Sequence, residues 1–212
     1  MSDIDGIETT VTQEAVVVTA ERGLDVVSSA FAGGGRTRAR SLVNLHVPKD
    51  FPCADGEATV GAFVRRRGLP APWVGLLTSA WTEKAEAGFE HAGDIGALVI
   101  TTVGLSNASA AGRSARASLV PGTINTIVVV DASPDPGAMI NLVMTVTEVK
   151  TAVLFEAGVR CADGAPATGT STDAVIVAAT ARGRRYRFGG PISERGWLVA
   201  RAARRARSSA TP

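Results

Sequence analysis

The residues able to do chemistry gather in a few short stretches. Asn141, Thr145 and Glu148 recur at i, i+4, i+7 inside a run otherwise dominated by Met139, Ile140, Leu142, Val143, Val146, Val149, Val153 and Leu154. That spacing puts the three on one narrow helix stripe. A carboxylate on so apolar a helix titrates upward, pairs with a cation or acts on a substrate. An ion pair at the helix rim and a site role both fit Glu148, while Lys150, two residues on, projects from a different face. Pro121-Gly-Thr-Ile-Asn125 and Thr168-Gly-Thr-Ser-Thr-Asp173 each set a Gly-Thr pair and a polar partner at the start of an apolar run. Backbone N–H groups and hydroxyls at such junctions serve ligands in many α/β proteins, and local turn chemistry is the competing use. Asn44 and His46 share one face of an alternating segment, where His46 fits either a site role or a hydrogen-bonded structural histidine.

Several chemistries are excluded. The loop Gly33 to Gly35 lacks the Gly-Lys-Ser/Thr ending of a phosphate-binding loop and the spacing of a dinucleotide fingerprint. There is no Gly-x-Ser-x-Gly elbow, and a Ser-His-acid triad would have to use one of two histidines, His46 or His91. Cys53 and Cys161 allow at most one disulfide and lack the paired spacing of a zinc site, so ordinary thiols and no bound metal are expected.

The elements that must hold these residues follow from patterning. Residues 14–19 and 24–30 are β-branched runs around Glu21-Arg22-Gly23, which predicts a hairpin. Gly33 to Gly35 predicts a tight or mobile turn. Ser41 to Val47 reads as a half-buried strand ended by Pro48. A helix is predicted over 56–67, closed by Gly68, and strands over 73–78 and 95–103 flank a polar connection at 82–94. Residues 123–131 form a strand covered on both faces. Pro136 opens a long buried helix over 137–156, closed by Gly158. A further buried strand spans 172–180. The last helix starts after Ser193, an N-cap, with Ile192 and Trp197 as a hydrophobic staple. From Arg201 it frays into a basic tail. Strands and helices alternate without repeats or linkers, which predicts a single α/β domain with a mixed sheet and packed helices.

The chain has 212 residues, 45% of them apolar and 20% charged. That suits one soluble globule with a real core and excludes disordered, collagenous and coiled-coil classes. The net charge of +2 is uneven: residues 182–212 hold nine arginines and one acid, Glu194, giving +8 and leaving −6 on the rest. A solvated helix end accounts for this tail better than nucleic acid or an anionic membrane, since no aromatic residue is interleaved after Trp197. Glu148, Lys150 and Glu156 argue against a membrane span at 137–156. The start, Met-Ser-Asp-Ile-Asp, has neither a basic nor an apolar leader region, so a cytoplasmic location is expected.

Read together, Asn44-Leu-His-Val-Pro-Lys49, Thr102-Val-Gly-Leu-Ser-Asn107, Pro121-Gly-Thr-Ile-Asn125, Thr145-Val-Thr-Glu-Val-Lys150, Gly169-Thr-Ser-Thr-Asp173 and Phe188-Gly-Gly-Pro191 resemble, in order and spacing, the adenosylcobinamide amidohydrolase family. The likeness runs from about Ser28 to Ala200, within an amidohydrolase-like domain at 1–200 followed by the basic tail at 201–212. It implies hydrolysis of the amide joining aminopropanol to the corrinoid side chain, which turns adenosylcobinamide into adenosylcobyric acid in cobalamin salvage. The family blocks fall on Asn44, Thr123, Asn125, Glu148, Lys150, Thr172 and Asp173. In that chemistry Glu148 or Asp173 is the base for water. Asn44, Asn125 or a Gly-Thr backbone N–H holds the oxyanion, and Lys150 protonates the amine or pairs with a carboxylate. A covalent route through the Thr123 hydroxyl is the rival. His46, Asn141, Thr145 and Thr172 join Asn44 and Asn125 as expected substrate contacts. The Asp-x-His-x-x-Gly pattern of cobalt-ligating proteins is missing, so the corrinoid is expected as substrate, with no cofactor. A corrinoid carrier that does not cut its ligand is the alternative, and the sequence is compatible with a homo-oligomer.

Overall fold

A computed structural model describes residues 4–116 and 123–208. Strands β1 (Ile7–Val11), β2 (Ala15–Ser28), β3 (Gly35–His46), β4 (Trp73–Thr78), β5 (Glu86–Ala92) and β6 (Ile95–Val103) precede a short β7 (Ala108–Ser109). They are followed by β8 (Ile124–Val130), a short β9 (Ser133–Pro134), a short β10 (Gly169–Thr170), β11 (Ala174–Ala179) and a short β12 (Arg185–Tyr186). Helices are α1 (Gly56–Arg66), α2 (Pro136–Glu156) and α3 (Glu194–Ser208). One mixed sheet runs in the order β4-β3-β2-β11-β8-β6-β5, with β1 also paired to β2. The pairs β3–β4 and β8–β11 are parallel and the other main-sheet pairs antiparallel.

The sheet curls on itself. In a flat sheet β3 and β8, three strand steps apart, would be separated by about 14 Å. Yet the Asn125 side chain donates to Asn44 Oδ1 at 2.8 Å and to the Leu77 carbonyl on β4 at 2.9 Å. Strand alternation then sorts side chains into an enclosed face and an outer one. Inside are Val16, Val18, Leu42, Leu76, Leu98, Ile100, Ile127, Val129 and Ile176. Outside, Val99, Val128, Val130 and Val177 are covered by α2 and α3, while Val17, Val43 and Leu45 are covered by Val60, Phe63 and Val64 of α1. The mixed α/β domain matches the sequence pattern, but the strand expected half-buried at 41–47 is covered on both faces, with Leu42, Val43, Asn44 and Leu45 each at most 5% exposed because the curl encloses one face and α1 covers the other.

Several elements differ from expectation. The predicted hairpin around Glu21-Arg22-Gly23 is one continuous strand: pairing with β3 jumps from Thr19↔Ser41 to Leu24↔Ala39, so the extra residues form a bulge. The turn comes later, where Gly33 and Gly35 adopt φ of +68° and +89°. The supposed polar connection at 82–94 contains β5, a polar edge strand paired only to β6. Helix α2 is buried along one side only. Leu142 and Val146 are fully buried, whereas Ile140, Met144 and Phe155 are exposed. It has the length and hydropathy to cross a membrane, but its buried side packs on the sheet and α3.

Helix α3 opens as predicted, with Ser193 Oγ accepting from the Gly196 N–H at 3.2 Å. The staple does not form, because Ile192 is 96% exposed. Fraying from Arg201 does not occur either. Ala202, Ala203 and Ala206 are fully buried, and Arg201 and Arg205 pair with Glu90 while Arg204 grips Glu156 with two hydrogen bonds of 2.9 Å. Hydrogen bonding from Arg204 holds the Glu156 carboxyl below its usual range. Residues 209–212 of the expected tail lie outside the described residues. Small alanines let α3 approach so closely that a Cβ on Gly88 would overlap the Ala202 carbonyl. Gly88→Ala is therefore expected to push α3 off β5 and cost about 1–3 kcal/mol, read as a lower urea midpoint with unchanged slope.

Candidate active site

At one end of the curled sheet the inward face turns from apolar to polar. On β3 the series Leu42, Asn44, His46 points inward, and on β6 the series Leu98, Ile100, Thr102 does the same. Asn44 donates to Thr102 Oγ at 2.9 Å and accepts from Asn125, while Thr123 Oγ lies 3.2 Å from Asn125 Oδ1 and 2.7 Å from the Thr172 carbonyl. Asn44, Thr102, Thr123 and Asn125 are each at most 2% exposed. Both Asn125 N–H bonds are spent on Asn44 and Leu77, whereas Asn44 has a second N–H with no acceptor among the described residues.

Behind this row, Lys150 and Asp173 form an ion pair of 2.5 Å, each side chain only 13% exposed. Asp173 also accepts from the Ile124 N–H at 3.0 Å, the Thr170 N–H at 3.1 Å and the Thr170 hydroxyl at 2.5 Å. Four donors fill the carboxylate's acceptor capacity. Glycine at 169 is required, since a Cβ there would overlap Asp173 Oδ2.

The expected helix stripe divides. Thr145 Oγ donates to the Gly189 carbonyl at 3.0 Å and Asn141 Oδ1 accepts from the Gly189 N–H at 3.5 Å, so both hold the 188–191 turn against α2. Glu148 is exposed and has no hydrogen bond or ion pair among the described residues. Residues two apart on a helix diverge by about 200°, which is why Lys150 and not Glu148 reaches Asp173. The structure thus brings together Asn44, Thr123, Asn125, Thr172, Asp173 and Lys150. It leaves Asn141 and Thr145 of α2 holding Gly189, and Glu148 exposed on the same helix. Pro121 and Gly122 lie outside the described residues.

His46 borders the row. Its Nδ1 lies 2.9 Å from the Ala80 carbonyl and its ring stacks on Trp81 at 5.2 Å. Thr102 and Thr170 fall inside the motifs read from sequence but were not named there as site residues, and Trp81 was in none of them. The alternation Leu98, Ile100, Thr102 carried the signal for Thr102, but Trp81 meets His46 only through the fold.

A family model described as adenosylcobinamide amidohydrolase matches residues 2–211. The chain belongs to that family. An adenosylcobinamide amidohydrolase of Methanosarcina mazei is 32% identical over 145 residues, spanning 68% of this chain and 64% of that protein, so the match spans less than two thirds of the relative. Among solved structures, the PH0078 protein from Pyrococcus horikoshii OT3 is similar at TM-score 0.46 and 13% identity, covering 95% of this chain and 81% of that one. A Burkholderia sp. beta-aminopeptidase is similar at TM-score 0.49 and 11% identity, covering 97% and 80%.

The saturated Asp173 is expected to act on stability. Asp173→Ala strands Lys150 and the Ile124 N–H and should cost about 3 kcal/mol or more. Lys150→Met leaves Asp173 three donors and should cost less. Urea unfolding of both variants ranks them.

Proposed function

We propose that this chain hydrolyses the amide linking aminopropanol to the corrinoid side chain of adenosylcobinamide, with the corrinoid as substrate. The observation that carries the reading is the family match over residues 2–211, whose resembling blocks supply the polar row at the sheet end. Hydrolysis adds water across the C–N bond, giving a corrinoid carboxylate and a free ammonium.

The contacts favour a covalent route. Glu148 is exposed and Asp173 has no acceptor position left for water, so neither is poised as the base. Thr123 Oγ is the nucleophilic atom beside the row, and the uncommitted N–H of Asn44 is the donor for an oxyanion. The partners of Thr123 Oγ, the Thr172 carbonyl and the Asn125 amide oxygen, are not bases. The remaining base for a threonine is its own α-amine, freed when the Thr123 hydroxyl displaces it from the carbonyl of residue 122 and water hydrolyses the resulting ester, leaving a carboxylate on residue 122. Lys150 and Asp173 fix the start of β8 and so position Thr123.

Incubation with adenosylcobinamide followed by mass spectrometry tests the activity: aminopropanol release is expected, and binding without release would make the protein a carrier. Thr123→Ala should lower turnover at least about 100-fold while retaining binding. Intact-mass measurement of active protein should show two pieces, and full turnover from an undivided 21.7 kDa chain would return the chemistry to direct attack by water.

A further inference from the structure

Where β3 and β6 end, a cleft of about 190 Å³ opens, lined by Lys49, Ser79, Trp81, Lys84, Gly104 and Ser106 among others. It abuts the polar row: the Gly104 N–H donates to the Thr123 carbonyl at 3.1 Å, and a Cβ on Gly104 would lie 3.4 Å from the Thr123 nitrogen. Trp81 is 59% exposed, an unusual state for so large an apolar ring, with one face on His46. No carboxylate lines the cleft, and the ammonium groups of Lys49 and Lys84 have no partner among the described residues. The volume takes a substituent of a corrinoid and not the whole molecule.

We propose that this cleft is an anion-recognising subsite of the amidohydrolase, with Trp81 as a flat apolar platform and Lys49 and Lys84 as paired charges. The inference rests on the amide-hydrolysis reading. The substrate amide is neutral, whereas cleavage leaves a carboxylate on the corrinoid and an ammonium on the leaving arm. Two lysines in a cleft adjoining the polar row through Gly104 attract the first and repel the second. The enzyme therefore binds the corrinoid acid more tightly than the amide, and its release limits turnover. A phosphate on the aminopropanol arm presents the same chemistry from the substrate side.

Calorimetric titration of the full chain carrying Thr123→Ala, which binds without turnover, with adenosylcobinamide, adenosylcobyric acid and the phosphate ester of adenosylcobinamide decides this. The acid should bind about tenfold more tightly than the neutral amide at low salt, and the preference should shrink in 0.5 M salt. In Lys49→Ala/Lys84→Ala the acid should weaken about tenfold, with the amide changed less than twofold. Trp81→Ala should weaken all three alike. A phosphate ester that gains where the acid does not assigns the subsite to the substrate arm. Equal affinities for all three in the Thr123→Ala chain, or an unchanged preference when the two lysine substitutions are added to it, would overturn the proposal. Charge-selective binding, with no aminopropanol release by the unsubstituted chain, would sink the amidase reading and leave the subsite standing.

Discussion

The hydrogen bond between the side chains of Asn44 and Asn125 ties the curl of the sheet to the existence of the site. A buried amide without partners costs about 1–3 kcal/mol, so a flat arrangement would strand Asn44, Asn125 and Thr102 at once. Curling the sheet satisfies them against one another and against the Leu77 backbone. The same closure encloses the aliphatic face of six strands, which supplies the favourable burial. Polar satisfaction and apolar burial thus demand the same geometry, the consistency expected of a sequence with one folded state.

Asp173 performs the complementary task on the chain that carries Thr123. It collects the first N–H of β8, both donors of Thr170 and the ammonium of Lys150 from α2, locking two parallel strands and a helix at one point. A carboxylate so engaged has little capacity to accept a proton from water, which separates a positioning role from a catalytic one. Thr172, its neighbour, contributes a backbone carbonyl to Thr123. Thr123 and its anchor are therefore coupled through a single short segment.

Much of this was written in local pattern. The alternation in β3 put Asn44 and His46 on one face, the valine run of β8 announced a strand covered on both sides, and Pro136 and Gly158 bracketed α2 within a residue or two. What failed was information held by partners distant in sequence. The segment Glu21-Arg22-Gly23 looks like a turn until β3 pairs across it, and β5 looks like a loop because Glu86, Glu90 and His91 break up any apolar run, Glu90 being covered by Arg201 and Arg205 of distant α3. Glu148 and Lys150 were equally eligible for a site until the position of Asp173 chose between them. Trp81 has no local signal at all, since its meaning is the ring of His46, 35 positions earlier.

Charge distribution carries the same lesson further. The arginine-rich end read as a solvated tail, yet its alanines are small-residue packing surface, and Arg201, Arg204 and Arg205 are matched to Glu90 and Glu156. The exposed Arg204–Glu156 pair contributes little stability, and together with the two arginines over the mostly buried Glu90 it offsets positive charge at that end of the molecule. Lys49 and Lys84 are different in kind, being two of only three lysines in the chain and lacking carboxylate partners among the described residues. Positive charge that the fold leaves unmatched in the cleft adjoining the polar row is available to a ligand. A reaction that converts a neutral amide into an anion is one that such charge would pull forward and then hold at its product.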